Sequence, residues 1–96
     1  MKLRATVVRW DSTEFPGWLE LTVRDADDRV HRIIEKTPIL SSAEFTSESR
    51  LPLETWIEAE VTSTDGRYVR VRLAHGVETT EGLRQLVVSA GDLADV

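Results

Sequence analysis

The chain has 96 residues, 41% hydrophobic and 30% charged, with no cysteine and a net charge of −5. A chain this short hides roughly 65% of its unfolded surface on folding, so residues 1–96 make one domain with one core. The missing cysteines exclude a disulfide framework, a thiolate metal cage and a thiol nucleophile, and favour a reducing, cytoplasmic setting. The acidic balance disfavours nucleic acid and anionic membrane, which are bound chiefly through Lys and Arg.

Period-two alternation dominates the chain. Over Lys2–Trp10, Leu3, Ala5 and Val7 take one face and Arg4 and Thr6 the other. The phase slips after Val7, which predicts a bulge. Asp11–Gly17 reads as a loop with Pro16-Gly17 as its turn signal. Trp18–Arg24, with Leu19, Leu21 and Val23 inward, is a second strand, and Val30–Lys36 is a third. Residues 37–54 are polar, and Ser41-Ser42-Ala43-Glu44 has the capping-box spacing of one short helical turn. Thr55–Ser63 and Tyr68–Ala74 are the clearest strands, Gly76–Gly82 is a loop, Leu83–Val88 is a sixth strand, and Ser89–Leu93 is a capped turn. No apolar run approaches the ~20 residues of a membrane span. The opening Met1–Ala5 lacks the apolar segment of a signal peptide.

At an offset of 38 the chain repeats itself: Trp18 falls on Trp56, Glu20 on Glu58, Val23 on Val61, Arg32 on Arg70, and Asp28 on Gly66. Two similar hairpins are implied, each opening with a tryptophan. In the second, bringing inward residues together pairs Val61 with Val69, Ala59 with Val71 and Ile57 with Leu73 around a Thr64-Asp65-Gly66 loop. That register sets Glu60 against Arg70 and Glu58 against Arg72. In the first hairpin Asp28 takes the left-handed position that Gly66 takes in the second. Six short strands with turns every eight to twelve residues suggest an all-β antiparallel barrel or strongly curled sheet, SH3-like or OB-like; a two-layer sandwich is the alternative.

Chemistry-bearing motifs are sparse. His31 and His75 have no ligand at a metal-binding spacing, so no metal or cofactor is expected. The serines lie in no nucleophile-elbow pattern and the five glycines are scattered, so catalysis and phosphate cradling find no support. The aromatic residues carry more. Trp18, Trp56 and Tyr68 are expected on an outer face with Arg70 and Arg72, and Phe15 beside the Pro-Gly turn. Aromatics beside arginine form protein-binding hot spots, and they also form stacking platforms for single-stranded nucleic acid. The plainer expectation is that residues 37–54 or the N-terminal strand cover the tryptophans.

Phe15-Pro16-Gly17-Trp18, Glu35-Lys36-Thr37-Pro38 and Gly76-Val77-Glu78-Thr79-Thr80-Glu81-Gly82 together resemble segments of a group of short bacterial single-domain proteins with no established activity. The resemblance covers nearly the whole chain and implies a freestanding bacterial protein whose loops hold residues of interest. It also implies glycine in the first hairpin loop, where this chain has Asp28.

The leading expectation is a non-enzymatic protein-binding module, immunity-like or regulatory, acting as a monomer or homodimer. Its candidate contacts are Phe15, Trp18, Trp56, Tyr68, Arg70 and Arg72. The alternatives are an OB-like single-strand nucleic-acid binder, and a small-ligand binder or enzyme using His31 and Glu35 in the barrel mouth. A cationic partner would meet the acids placed in loops and at the C-terminus: Asp11, Glu14, Glu44, Glu48, Glu78, Glu81, Asp92 and Asp95.

Overall fold

The computed structural model describes residues 1–14, 17–36 and 50–95. Phe15 and the helical turn expected at Ser41–Glu44 lie outside the described residues. The strands are β1 Lys2–Ser12, β2 Trp18–Arg24, β3 Val30–Lys36, β4 Leu53–Asp65, β5 Tyr68–Leu73, β6 Gln85–Ser89 and β7 Leu93–Ala94. They run β3-β2-β1-β4-β5-β6, every neighbour antiparallel, with β7 also against β1. The sheet is a strongly curled half-barrel, as the alternation and turn spacing predict. Its curl brings distant elements together. β7 pairs Leu3 with Leu93, Ala26 N–H donates to the Val87 carbonyl at 2.8 Å, and Thr80 N–H donates to the Arg32 carbonyl at 2.8 Å.

The inward residues follow from the sequence period. Leu3, Ala5 and Val7 of β1, Leu19, Leu21 and Val23 of β2, and Ile33 of β3 are all buried against Ile57, Ala59, Val71 and Val88. Of the adjacent pair, Ile33 is the core residue and Ile34 is half-buried on the other face. The bulge expected after Val7 is present: β1 pairs Val7 with Leu21, then skips to Arg9 with Glu20 and Trp10 with Leu19. Val8 is the extra residue, and the slip turns Trp10 inward to pack against the core.

The second hairpin departs from the expected register. Ala59 lies opposite Leu73 and Val61 opposite Val71; beyond a bulge at Thr62, Ser63 faces Arg70, Thr64 faces Val69 and Asp65 faces Tyr68. The loop is therefore Gly66-Arg67. Gly66, at φ +62, heads it where a two-residue type II′ turn takes glycine. The tighter turn advances the pairing, and the bulge restores the alternation by absorbing one residue. The Thr62 hydroxyl fixes that bulge by donating to the Arg70 carbonyl at 3.2 Å. The expected charge pairs change with it: Arg72 meets Glu60, Arg70 faces Ser63, and Glu58 turns to His75.

Asp28 occupies the left-handed region at φ +62, the same value as Gly66. The loops otherwise differ. The first spans Asp25–Arg29, between the paired Arg24 and Val30. It is organised by Asp25, whose Oδ1 accepts the N–H groups of Asp27 at 2.8 Å and Arg29 at 3.0 Å. The offset repeat thus extends to one backbone conformation and not to the register. Asp tolerates positive φ less well than Gly, an advantage partly offset by glycine's greater freedom in the unfolded chain. Asp28→Gly is expected to stabilise the domain by about 0.5 kcal/mol, raising its thermal midpoint by roughly 2–4 °C; a lower midpoint in a calorimetric scan would contradict this.

Candidate functional site

The candidate residues fall in separate places. Trp18 and Trp56 each lie half-buried beneath a cation from the strand position directly opposite. Lys36 Nζ sits 5.6 Å from the Trp18 ring centroid, and the Arg4 guanidinium 5.2 Å from that of Trp56. Such contacts contribute roughly 0.5–1 kcal/mol each at exposed sites. Cover from the N-terminal strand, one of the expected arrangements, is thus present at Trp56. Along β1, Trp18 is level with Ser12 and Trp56 with Arg4; with the two register slips between them allowed for, the separation is roughly 20 Å at strand rise. The two indoles form no continuous platform.

Tyr68, Arg70 and Arg72 are brought together, because alternate residues of β5 share its outer face. Rows of cross-strand neighbours continue this face: Asp65, Tyr68 and Ser89; then Ser63, Arg70 and Val87; then Glu60, Arg72 and Gln85. Arg72 is held by Glu60 at 2.7 Å. Tyr68 is 48% exposed. Among the described residues, neither its hydroxyl nor the Arg70 guanidinium has a hydrogen-bonding or ionic partner.

Sequence reasoning missed the most buried carboxylate. Glu20, expected outward beside Trp18, is only 5% exposed. Arg32 donates to its Oε1 at 2.6 Å and Arg9 to its Oε2 at 3.1 Å. The bulge at Val8 is the signal that would have found it, since that slip sets Arg9 opposite Glu20. The Arg32 hydrogen bond lowers the Glu20 pKa most; burial opposes it, and Arg9 adds to the lowering. His31 is buried on the inner face, its Nε2 2.7 Å from Asp25 Oδ2 and its Nδ1 buried without a partner. Burial raises the Asp25 pKa, yet His31 and the backbone N–H groups of Arg29 and Asp27 outweigh it, leaving the carboxyl below its ordinary value. These are structural assignments: the His31–Asp25 pair anchors the first hairpin loop to the core.

Clefts open on the surface of the described residues. One, of about 230 Å³, forms where β1 changes neighbour from β7 to β2, and Arg4, Thr6, Thr22, Arg24, Glu54 and Asp92 line it. Another, of about 450 Å³, lies where β1 begins, between Met1, Lys2, Glu58, Glu60 and His75. Neither is lined by His31 or Glu35, which stand two strand steps apart with Ile33 between them. Among the described residues no three His, Asp or Glu side chains converge as a metal site, and no helix is long and apolar enough to cross a membrane. Two of the acids expected to be open to a cationic partner are engaged: Glu78 with Arg84 at 3.1 Å, and Asp92 with Arg4 at 3.6 Å.

Comparison with protein-family models, curated proteins and solved structures finds no match.

Glu20, Asp25 and Glu60, the last through its Arg72 hydrogen bond, all ionise below their ordinary values of 4.5, 3.8 and 4.5. The stability these groups contribute is complete above those values and is lost as pH falls through the lowered folded-state ones. Glu20→Gln is expected to lower stability at neutral pH and to flatten its fall in acid below about pH 4.5. Urea titrations at stepped pH measure both, and an unchanged acid slope would show that the two arginines do not perturb Glu20.

Proposed function

We propose that the chain is a non-enzymatic protein-binding module that meets its partner on the outer face of β5. The observation that carries this reading is Tyr68 beside Arg70, two exposed side chains on a three-stranded face whose polar groups have no partner among the described residues. Tyr and Arg are the residue types that dominate binding hot spots, because each offers a large contact area together with a polar group to satisfy. Arg67, in the adjoining turn, is exposed as well and adds a second cation without an ion pair among the described residues. The tryptophans play a different part: each stacks with its own cross-strand cation, and their separation disfavours base stacking along a single strand. An immunity-type or regulatory role in a reducing cytoplasm suits a small, acidic, cysteine-free chain.

The test compares wild-type chain with a Tyr68→Ala/Arg70→Glu variant as baits at physiological salt. Both side chains are exposed, so the variant should melt within a few degrees of wild type. A protein captured by the wild type and reduced at least tenfold on the variant is the expected outcome. Equal capture by both baits, or capture by neither, would refute the reading.

A further inference from the structure

The cleft of about 230 Å³ is a break in the sheet. Along one edge of β1, Lys2 and Leu3 pair with β7, and pairing with β2 resumes at Thr6 opposite Thr22. Arg4 and Ala5 have no strand partner on that edge. Alternation puts Arg4 and Thr6 on the outer face of β1, and Thr22 and Arg24 on that of β2. Continuing the register past Thr6 and Thr22 would bring Arg4 level with Arg24. The cleft thus opens between two guanidinium groups, beside two half-buried threonines whose hydroxyls have no partner among the described residues.

Its charges are divided between its walls. At the β7 end, Asp92 closes the single turn Ala90–Asp92, immediately before Leu93 pairs with Leu3, and its carboxylate lies 3.6 Å from Arg4. Glu54, paired with Thr6 from the β4 side, lies 3.7 Å from the same guanidinium. Two carboxylates around one cation leave an excess of negative charge there. At the β2 end, Arg24 is exposed and has no ion pair among the described residues. Arg4 itself stands 5.2 Å from the Trp56 ring centroid, which fixes its position between the walls.

This polarity selects against a simple ion. A lone anion at Arg24 would face Asp92 and Glu54, and a lone cation beside those acids would face Arg24. A ligand carrying both charges answers both walls. The gap runs from the level of Leu3 to that of Thr6, three strand steps or about 10 Å. The ammonium nitrogen and carboxylate oxygens of an α-amino acid lie about 3 Å apart, and a charge-assisted hydrogen bond of ~2.8 Å at each end extends the span to about 9 Å. Val30, 56% exposed, also lines the cleft and offers an apolar contact to a short side chain. The volume is below the ~300 Å³ at which pockets for drug-sized ligands begin, so the ligand is small.

We propose that this cleft binds a free α-amino acid with a small aliphatic side chain, its carboxylate on Arg24 and Thr22 and its ammonium on Asp92. The site lies away from the outer face of β5 and does not depend on the protein-binding reading.

The probe is L-valine, titrated into the isotope-labelled full chain and followed by amide resonances. Isovalerate, which lacks the ammonium, and isobutylamine, which lacks the carboxylate, are titrated alongside. L-valine should shift Arg4, Thr6, Thr22 and Arg24 saturably, with each truncated probe binding about tenfold more weakly. Arg24→Gln should weaken L-valine and isovalerate about tenfold and leave isobutylamine unchanged. Asp92→Asn should weaken L-valine and isobutylamine, while isovalerate binds at least as well as before. Isovalerate binding as tightly as L-valine to the wild type would overturn the proposal, since the cleft would then be an anion site. So would the absence of saturable shifts at those four residues. Tyr68→Ala/Arg70→Glu should bind L-valine like the wild type, so failure of the β5 face and failure of the cleft are read separately.

Discussion

The half-barrel depends on β1 serving three neighbours. Leu3, Ala5 and Val7 are at most 2% exposed, and that burial requires β4 along one edge with β7 and then β2 along the other. Burying three such side chains contributes several kcal/mol by area, and the gain is available only if β1 keeps its alternation in register with all of them. The cleft at Arg4 is the gap left where one neighbour ends and the next begins.

Register slips in β1 and β4 reconcile these demands. At Val8 the inward phase of β1 shifts, so that Trp10 turns in and Arg9 comes to lie over Glu20. A carboxylate in the middle of a half-buried strand would be costly without a partner, and this slip supplies one of its two arginines. At Thr62 a bulge lets a tight Gly66-Arg67 turn coexist with inward Ala59 and Val61. It lies just past the end of the core on β4, where Ala59 is buried and Val61 already exposed. Val69 and Val71 of β5 remain buried, whereas Thr64, on the inward phase of β4, is exposed.

What could be read from sequence follows the same division. Strands whose two faces differ, such as Lys2–Val7, Trp18–Arg24 and Tyr68–Leu73, announced themselves, because alternation is a direct record of burial. The bulge at Val8 was legible, since adjacent Val7 and Val8 break the alternation. The bulge at Thr62 was not. It lies in Val61-Thr62-Ser63-Thr64, where no apolar residue follows Val61 to show a change of phase, and with the tighter turn it moved the inferred charge pairs by one step. Gly66 pointed to the correct loop but left its length open, as glycine suits both three-residue and two-residue turns. Tyr68 and Arg70 were legible as a candidate pair because i and i+2 share a face whatever the register. Linking them with Trp18 and Trp56 required the order of strands, which alternation does not encode.

The net charge takes on a different meaning once its members are placed. Of twelve basic side chains, Arg4 and Lys36 cover tryptophans, Arg9 and Arg32 hold Glu20, Arg72 holds Glu60, and Arg84 holds Glu78. Half of the positive charge is thus committed to fixing the sheet. Of the remainder, Arg67 and Arg70 stand on either side of Tyr68, while β4 beside them carries only acids. Neighbouring strips of opposite charge, one on a face and one along an edge, orient an approaching partner in a way that a uniform −5 could not. A ligand bound by charge alone would be repelled by one strip as it was drawn to the other.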